Sequence, residues 1–481
     1  MPPTEVIPAS EYSRVFEHDI RVLQVSAVRA FVEPADRDAP STLRTTLLIG
    51  VLLLFCIFAV IDRTVIAMLI DPIRKSLDIS DSQVGLLMGI AYAAAYGLAG
   101  LPMGFMVDRY PRKWILYFAV TFWGLAEAAC GLSTGFVWLF LARAAVGLGE
   151  SPLHPSAHSI IADSVPRRRL ATVMSIYSMG NLLGTGFALI IGGWIVHYLL
   201  NRPNIVLPLI GPVESWQFAF IITGLPGLLL ALLILPFAEP RRIAHGRANV
   251  SWAELFEFIR GKWQVVLCLS IVFGGMNIAN GGLIKWAPSY MSRFFHLNPA
   301  QYGLALGLIE SIFAISGLLV SGWIIDRWYA SGRKDAHLTY YLWAIILTTP
   351  IVLLGLTSNS LVIFYVGMAF GKTFTVNFLG VAASQVQMIS PPHMRGRLSG
   401  LFFLMVVALL GSSLGALVPA LIADNVFHDN IHLGKSMALT LAIFAPLAVI
   451  AILWGRKYVR AAVDEAEAMI ITDRERAAQA P

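Results

Sequence analysis

The chain has 481 residues, 57% hydrophobic and 13% charged, with a formal net charge of +6. Soluble domains carry about 25% charged residues, so this composition excludes an ordinary soluble protein. The basic excess flanks apolar runs, which points to membrane topology and gives no argument for nucleic acid.

Residues 1–45 are expected to form a polar cytoplasmic tail. They lack an apolar core behind a basic start and do not read as a secretory signal. Beyond them, apolar runs of the length that crosses about 30 Å of hydrocarbon recur along the chain. Twelve spans are predicted: 46–70, 84–107, 113–133, 136–161, 171–198 and 217–237, then 264–292, 301–325, 338–357, 361–388, 396–423 and 435–456. The first six form an N-terminal bundle over 46–237. The polar stretch 238–263 is a cytoplasmic linker, 264–457 the C-terminal bundle, and 458–481 a cytoplasmic tail. The fold class is all-α integral membrane, with two pseudo-symmetric six-helix bundles. Cys56, Cys130 and Cys268 lie within spans and read as small core residues.

Basic residues set the orientation. Arg109, Arg112 and Lys113 follow span 2, Arg167–Arg169 follow span 4, and Arg327, Arg333 and Lys334 follow span 8. The alternate loops are poorer in them. Both termini therefore face the cytoplasm of a multi-pass protein of the cell's inner membrane.

The halves repeat. "GFMVDRYPRK" at 104–113 is echoed by "GWIIDRWYASGRK" at 322–334, and "SVPRRRLATVMS" by "SPPHMRGRLSGL". A duplicated set of spans is the mark of a transporter with its site between the halves.

Several spans hold charge, and an ionisable group at mid-membrane costs about 2.5–3.5 kcal/mol even on lenient scales. In "LARAAVGLGESPLHPSAHSI" of span 4, Arg143, Glu150, His154 and His158 fall within about a quarter of the helix circumference. An Arg143–Glu150 ion pair that only fixes packing is the bland alternative. Pro152 and Pro155 are expected to bend or break the helix, and the histidines read as packing residues. Asp62 and Arg63 in span 1 are adjacent, about 100° apart, so Asp62 is placed facing span 4 and Arg63 the central cavity or a neighbour. In the C-half, Glu310 and Lys372 are expected to face the cavity or pair with each other. Asn277, Asn280, Thr373 and Asn377 offer hydrogen bonds, and Lys285 reads as snorkelling to the outer interface.

Twelve spans, a central linker and the Gly-x-x-x-Asp-Arg-x-x-Arg-Lys loop resemble the major facilitator superfamily over about residues 46–457. "FAVIDRTVIAMLIDPI", "AYGLAGLPMGFMVDRYPRKW" and "RAAVGLGESPLHPSAHSIIADSVPRRRLATVMSIYSMG" resemble the Spinster-type transporters. The Asp-Arg of span 1 and the Arg…Gly-x-Gly-Glu of span 4 also look like the anion:cation symporters of sugar acids. The resemblance implies that Asp62 and Glu150 handle a proton, and that Arg63 and Arg143 bind substrate or stabilise the carboxylates. Glu310, Lys372, Asn277 and Asn377 complete the substrate-binding candidates. Asp108, Arg109 and Arg112 match the superfamily's inter-bundle gate, which favours the state shut on the cytoplasmic side. Asp326 and Arg327 are a reduced copy of it.

The resulting expectation is a proton-coupled transporter working by alternating access. By resemblance its substrate is an amphiphilic lipid such as a lysophospholipid or sphingoid phosphate. The alternatives are a proton-coupled organic-anion symporter and a non-transporting membrane sensor or scaffold. No enzyme, cofactor or metal site is expected, since nucleotide-loop, zinc and nucleophile-elbow patterns are missing. The partners are a lipid or small-molecule substrate, protons and membrane lipids, and the protein is expected to be a monomer. A lateral opening between spans 5 and 8 or 2 and 11 would favour lipid; a closed pocket where Arg63, Arg143 and Lys372 converge would favour a small anion.

Overall fold

The computed structural model describes residues 42–202, 205–208, 211–240, 242, 252–375, 378–391, 394–428 and 431–479. The tail before them and most of the central linker lie outside the described residues. The chain divides into two units, residues 1–47 and 48–481, and the contacts below lie within the second.

That unit is built almost entirely of helices, and among the described residues ten are long and apolar enough to cross a membrane. The two other expected spans are also helical. Arg112–Cys130 carries Lys113 and Glu127, which lower its hydropathy. Span 10 appears as Leu361–Phe374 and Phe378–Ile389. The lone sheet among the described residues is a hairpin, Ile205–Leu207 against Gly211–Val213, in the loop between spans 5 and 6.

Span 4 is divided as its prolines require. One helix ends at Glu150, Ser151 and Pro152 turn, and a second runs Leu153–Ser164. Five π-helical stretches interrupt other spans: Leu87–Ala91, Ser270–Gly274, Glu310–Ala314, Phe403–Ser413 and Ala423–Phe427. Such stretches shift the hydrogen-bond register and turn carbonyls away from their usual donors.

The last helix departs from expectation. It runs Leu433–Gln479, well past the boundary drawn at 457. Its extension is held by charges on the even-numbered connections: Lys334 and Tyr329 bind Glu467, Lys262 binds Glu465, and Arg456 and Arg460 bind Asp335 at 2.8 and 2.9 Å. Burial pushes the Asp335 carboxyl up, but the Arg460 hydrogen bond and the Arg456 charge outweigh it and hold the group below its usual value. A depressed carboxyl contributes stability above its unfolded pKa of about 3.9 and loses it as pH falls through the folded value. Acidification below about pH 4 is therefore expected to loosen this end of the helix. Asp335→Asn should show the same loss already at neutral pH, about 1 kcal/mol or less in thermal unfolding, because both arginines are partly exposed.

The bundles meet tightly at the end holding residues 70–82. A Cβ built on Gly303 of span 8 would lie 2.4 Å from the Leu189 carbonyl oxygen of span 5, and one on Gly193 would lie 2.4 Å from that of Pro299. Spans 2 and 11 approach as closely, with a Cβ on Gly89 falling 2.4 Å from the Ser413 carbonyl. Ion pairs cover this end: Arg293 of span 7 reaches Asp71 and Asp81 of the N-half, each at 2.7 Å, and Asp424 accepts from the Ser82 backbone at 2.7 Å. Contact weakens toward the opposite end. No residue between Asp81 and Ala93 is exposed, whereas between Pro102 and Pro111 Val107 alone is buried.

Candidate functional site

The polar centre of the N-terminal bundle is assembled where glycines let helices touch. Gly147 packs on the span 2 backbone, where a Cβ would meet the Tyr92 carbonyl at 2.3 Å, and Gly149 packs on span 3, 2.8 Å from the Trp123 Cβ by the same measure. These two glycines of "GLGE" bring Tyr92 and Trp123 beside the acids.

Tyr92 donates its hydroxyl to Glu150 Oε2 at 2.7 Å. Trp123 donates its indole N–H to Asp62 Oδ2 at 3.1 Å. Arg143 pairs with Glu127 at 3.0 Å, and its guanidinium lies 5.6 Å from the centre of the Tyr92 ring. Asp62, Glu127, Arg143 and Glu150 are all at most 2% exposed, so water does not screen them. Arg63 points instead to span 5 and donates to Asn181 Oδ1 at 2.9 Å.

One oxygen of each acid, Asp62 Oδ1, Glu127 Oε1 and Glu150 Oε1, and the Arg143 Nε have no hydrogen-bond partner among the described residues. Each buried unsatisfied group costs about 1–3 kcal/mol. The cluster also holds three carboxyls against the guanidinium groups of Arg143 and Arg63.

This geometry revises several expectations. Glu127 does not figure among the sequence candidates, although a lone glutamate in an apolar run was signal enough. The ion pair of Arg143 is with Glu127, not Glu150, because the helix break after Glu150 and the approach of span 3 at Gly149 put the two carboxylates in different surroundings. Asp62 lies in the bundle interior with Glu150 and Arg143 of span 4, and its hydrogen-bond partner is Trp123 of span 3. His154 bonds the Tyr177 hydroxyl at 2.9 Å, and His158 packs edge-on against the same ring.

In the C-terminal bundle Glu310 and Lys372 form an ion pair, both at most 5% exposed. A small cavity of ≈ 10 Å³ lined by Lys372, Asn280, Leu283 and Met368 adjoins it. Thr375 donates to Asn280 at 3.4 Å. Asn277 is buried against Gly411, where a Cβ would collide with its amide at 1.9 Å. Asn377 lies outside the described residues.

The expected gate residues separate. Asp108 and Arg109 are exposed, and Asp108 has no ion-pair or hydrogen-bond partner among the described residues. Arg112 is not at the seam between bundles. It is fully buried within the N-half, bound to Glu239 at 2.8 Å, Ser159, Asp163 and the Pro240 carbonyl, where it ties spans 3 and 4 to the linker. Asp326 and Arg327 are exposed, with Arg327 over the Trp323 ring at 5.7 Å. Ion pairs that join the halves are at the other end, through Arg293, Asp71 and Asp81, none of them a candidate in the sequence reading.

The sequence model of the Major Facilitator Superfamily matches residues 52–416. An "MFS-type efflux pump" of Mycolicibacterium smegmatis is 24% identical over 92% of this chain and 100% of its own length. "Protein spinster homolog 1" of Xenopus laevis is 27% identical over 82% of this chain and 74% of its own. A "D-galactonate transporter" of Escherichia coli is 23% identical over 71% and 81%. The crystal structure of a bacterial homologue of the human lysosomal transporter Spinster, inward-facing and unoccupied, superposes with a TM-score of 0.72. It is 22% identical, over 88% of this chain and 98% of that one, which speaks to fold.

Proposed function

We propose that this chain, which belongs to the Major Facilitator Superfamily, couples the movement of a proton to that of an amphiphilic lipid across the cell's inner membrane. It is a transporter and not an enzyme. The proton resides on the cluster of Asp62, Glu127 and Glu150. The observation that supports this reading is the set of three buried carboxyls in one cluster with Arg143, each acid with an oxygen left unpaired.

With both termini in the cytoplasm, the tightly packed end is the outer one, and the state described here is inward-facing. The gate residues support this. Asp108 favours the state shut on the cytoplasmic side, and here it stands exposed while the outer side is sealed by Arg293, Asp71 and Asp81. Tyr92 directly follows the π-helical stretch Leu87–Ala91 of span 2, which packs against span 11 when the outer side shuts. Rocking of the halves thus shifts the Tyr92 hydroxyl relative to Glu150. That exchange of partners changes which protonation state is favoured.

Two features support an amphiphile over a small anion. Arg143, Arg63 and Lys372 are each already engaged within the protein, by Glu127, Asn181 and Glu310 respectively. The inner halves of spans 2, 5 and 8 expose apolar side chains, among them Leu98, Phe105, Ile176, Leu319 and Trp323. In span 5 only Tyr177 and Gly180 are buried between Thr172 and Gly180, so the helix is unpacked over most of its circumference there. That is the wall an acyl chain needs to enter from the inner leaflet. A thermal-shift screen of lysophospholipids against sugar acids at two pH values tests the reading. Stabilisation by a lysophospholipid with none by galactonate is expected. The reverse would establish the organic-anion symporter instead, the activity named for the galactonate relative.

A further inference from the structure

Lys285 is a cation in the outer half of span 7 that the proton cluster does not use. Its Nζ donates to the Ser412 carbonyl of span 11 at 2.6 Å and reaches the Met88 carbonyl of span 2 at 3.5 Å. Both carbonyls belong to π-helical stretches, Phe403–Ser413 and Leu87–Ala91, where the backbone hydrogen bonds run i→i+5. Met88 lies in the N-half and Lys285 and Ser412 in the C-half, so this lysine bridges the seam between the bundles.

No carboxylate pairs with it among the described residues. The charged groups that act on it are Arg143 and Arg63, both cations. A half-buried ammonium with only carbonyl dipoles for company and two guanidinium groups nearby is poorly compensated. Eight residues further along the same helix, about 12 Å, Arg293 closes the outer side on Asp71 and Asp81. Lys285 therefore lies about 12 Å inward of the outer gate along the helix, and the longer of its two bonds is the one that breaks when span 2 parts from span 11.

We propose that Lys285 is the anchor for an anionic group, a phosphate or carboxylate, of the transported molecule. In the outward-open state the ammonium is released from Met88 and faces the opened seam, where a single negative charge completes its coordination. As the outer side shuts, the Met88 carbonyl takes the ligand's place and the anion is displaced toward the inner half. The anchor gives the amphiphile of the proposed function a charged head, and in that respect it rests on that reading.

The test compares lysophosphatidic acid with monoacylglycerol of the same acyl chain, and glycerol 3-phosphate with glycerol, by equilibrium binding to the full-length protein in lipid nanodiscs. Wild type should prefer the phosphate of each pair by about tenfold or more, as one charge-assisted hydrogen bond in a desolvated site provides. Lys285→Met should reduce that preference to within about threefold, and Lys285→Arg should keep it. Arg293→Gln, which frees the gate above the lysine, should tighten binding of the phosphate probe by raising the open fraction. Retention of the wild-type preference in a monodisperse Lys285→Met protein overturns the anchor. A preference seen with glycerol 3-phosphate, while neither acylated probe binds, upholds the anchor and overturns the amphiphile. Failure of every probe to bind overturns both.

Discussion

Glu150→Gln and Asp62→Asn are each expected to reduce proton-driven accumulation in proteoliposomes to the level of protein-free vesicles, while exchange of substrate across the membrane without a gradient continues. The amides keep the size and the hydrogen bonds to Tyr92 and Trp123 but cannot carry the proton. Glu127→Gln belongs to the same set with a second consequence. It strands the Arg143 guanidinium, whose ion partner is Glu127, and loss of one member of a buried pair costs about 3–5 kcal/mol. Lower thermal stability should therefore accompany its loss of coupling. Wild-type pH dependence in Asp62→Asn and Glu150→Gln together would remove these two carboxylates from the coupling mechanism.

Gly303→Ala is expected to shift the protein away from the outward-closed state. The added Cβ would sit 2.4 Å from the Leu189 carbonyl and 3.1 Å from the Gly193 Cα. Both are backbone atoms, so only separation of spans 5 and 8 relieves the clash. Overpacking of this kind costs about 1–3 kcal/mol, which is about 5- to 150-fold in the ratio of the two states. Spin labels at Lys75→Cys and Lys435→Cys, on the outer ends of the two halves, should report longer distances by electron–electron double resonance. The native Cys56, Cys130 and Cys268 are buried and should stay unlabelled. An unchanged distance distribution would mean that this crossing does not set the outer closure.

The architecture was largely legible in the sequence because membrane spans are written in runs of apolar residues. The break in span 4 was equally plain, since Pro152 removes a backbone donor wherever it stands. The two candidate carboxylates of spans 1 and 4 stood out in the sequence because charge inside a span demands a reason. Glu127 satisfies the same criterion, but it sits between alanines without a motif around it. Partner choice was less accessible. Arg143 and Glu150 share a face of their own helix, yet the close approach allowed by Gly149 places span 3 and Glu127 against the arginine. Such choices are made by packing between helices distant in sequence. Arg112 reads as a gate residue by its motif, whereas its burial among Glu239, Ser159 and Asp163 depends on the linker folding back. The extension of span 12 was hidden because "AAVDEAEAMIITDRERAAQ" is polar, and its helix is stabilised by ion pairs to Lys262, Lys334 and Asp335 rather than by lipid.

Proton movement driven by the substrate itself tests the central claim most directly. Proteoliposomes holding the wild-type protein and a lumenal pH indicator, with no imposed pH gradient, are challenged with an outwardly directed gradient of the lysophospholipid that the thermal-shift screen selects. The proposed mechanism requires a change in lumenal pH that follows lipid movement in wild type and is lost in Asp62→Asn and Glu150→Gln. Lipid movement with no change in lumenal pH in wild type, or an undiminished pH change in both variants, would contradict it.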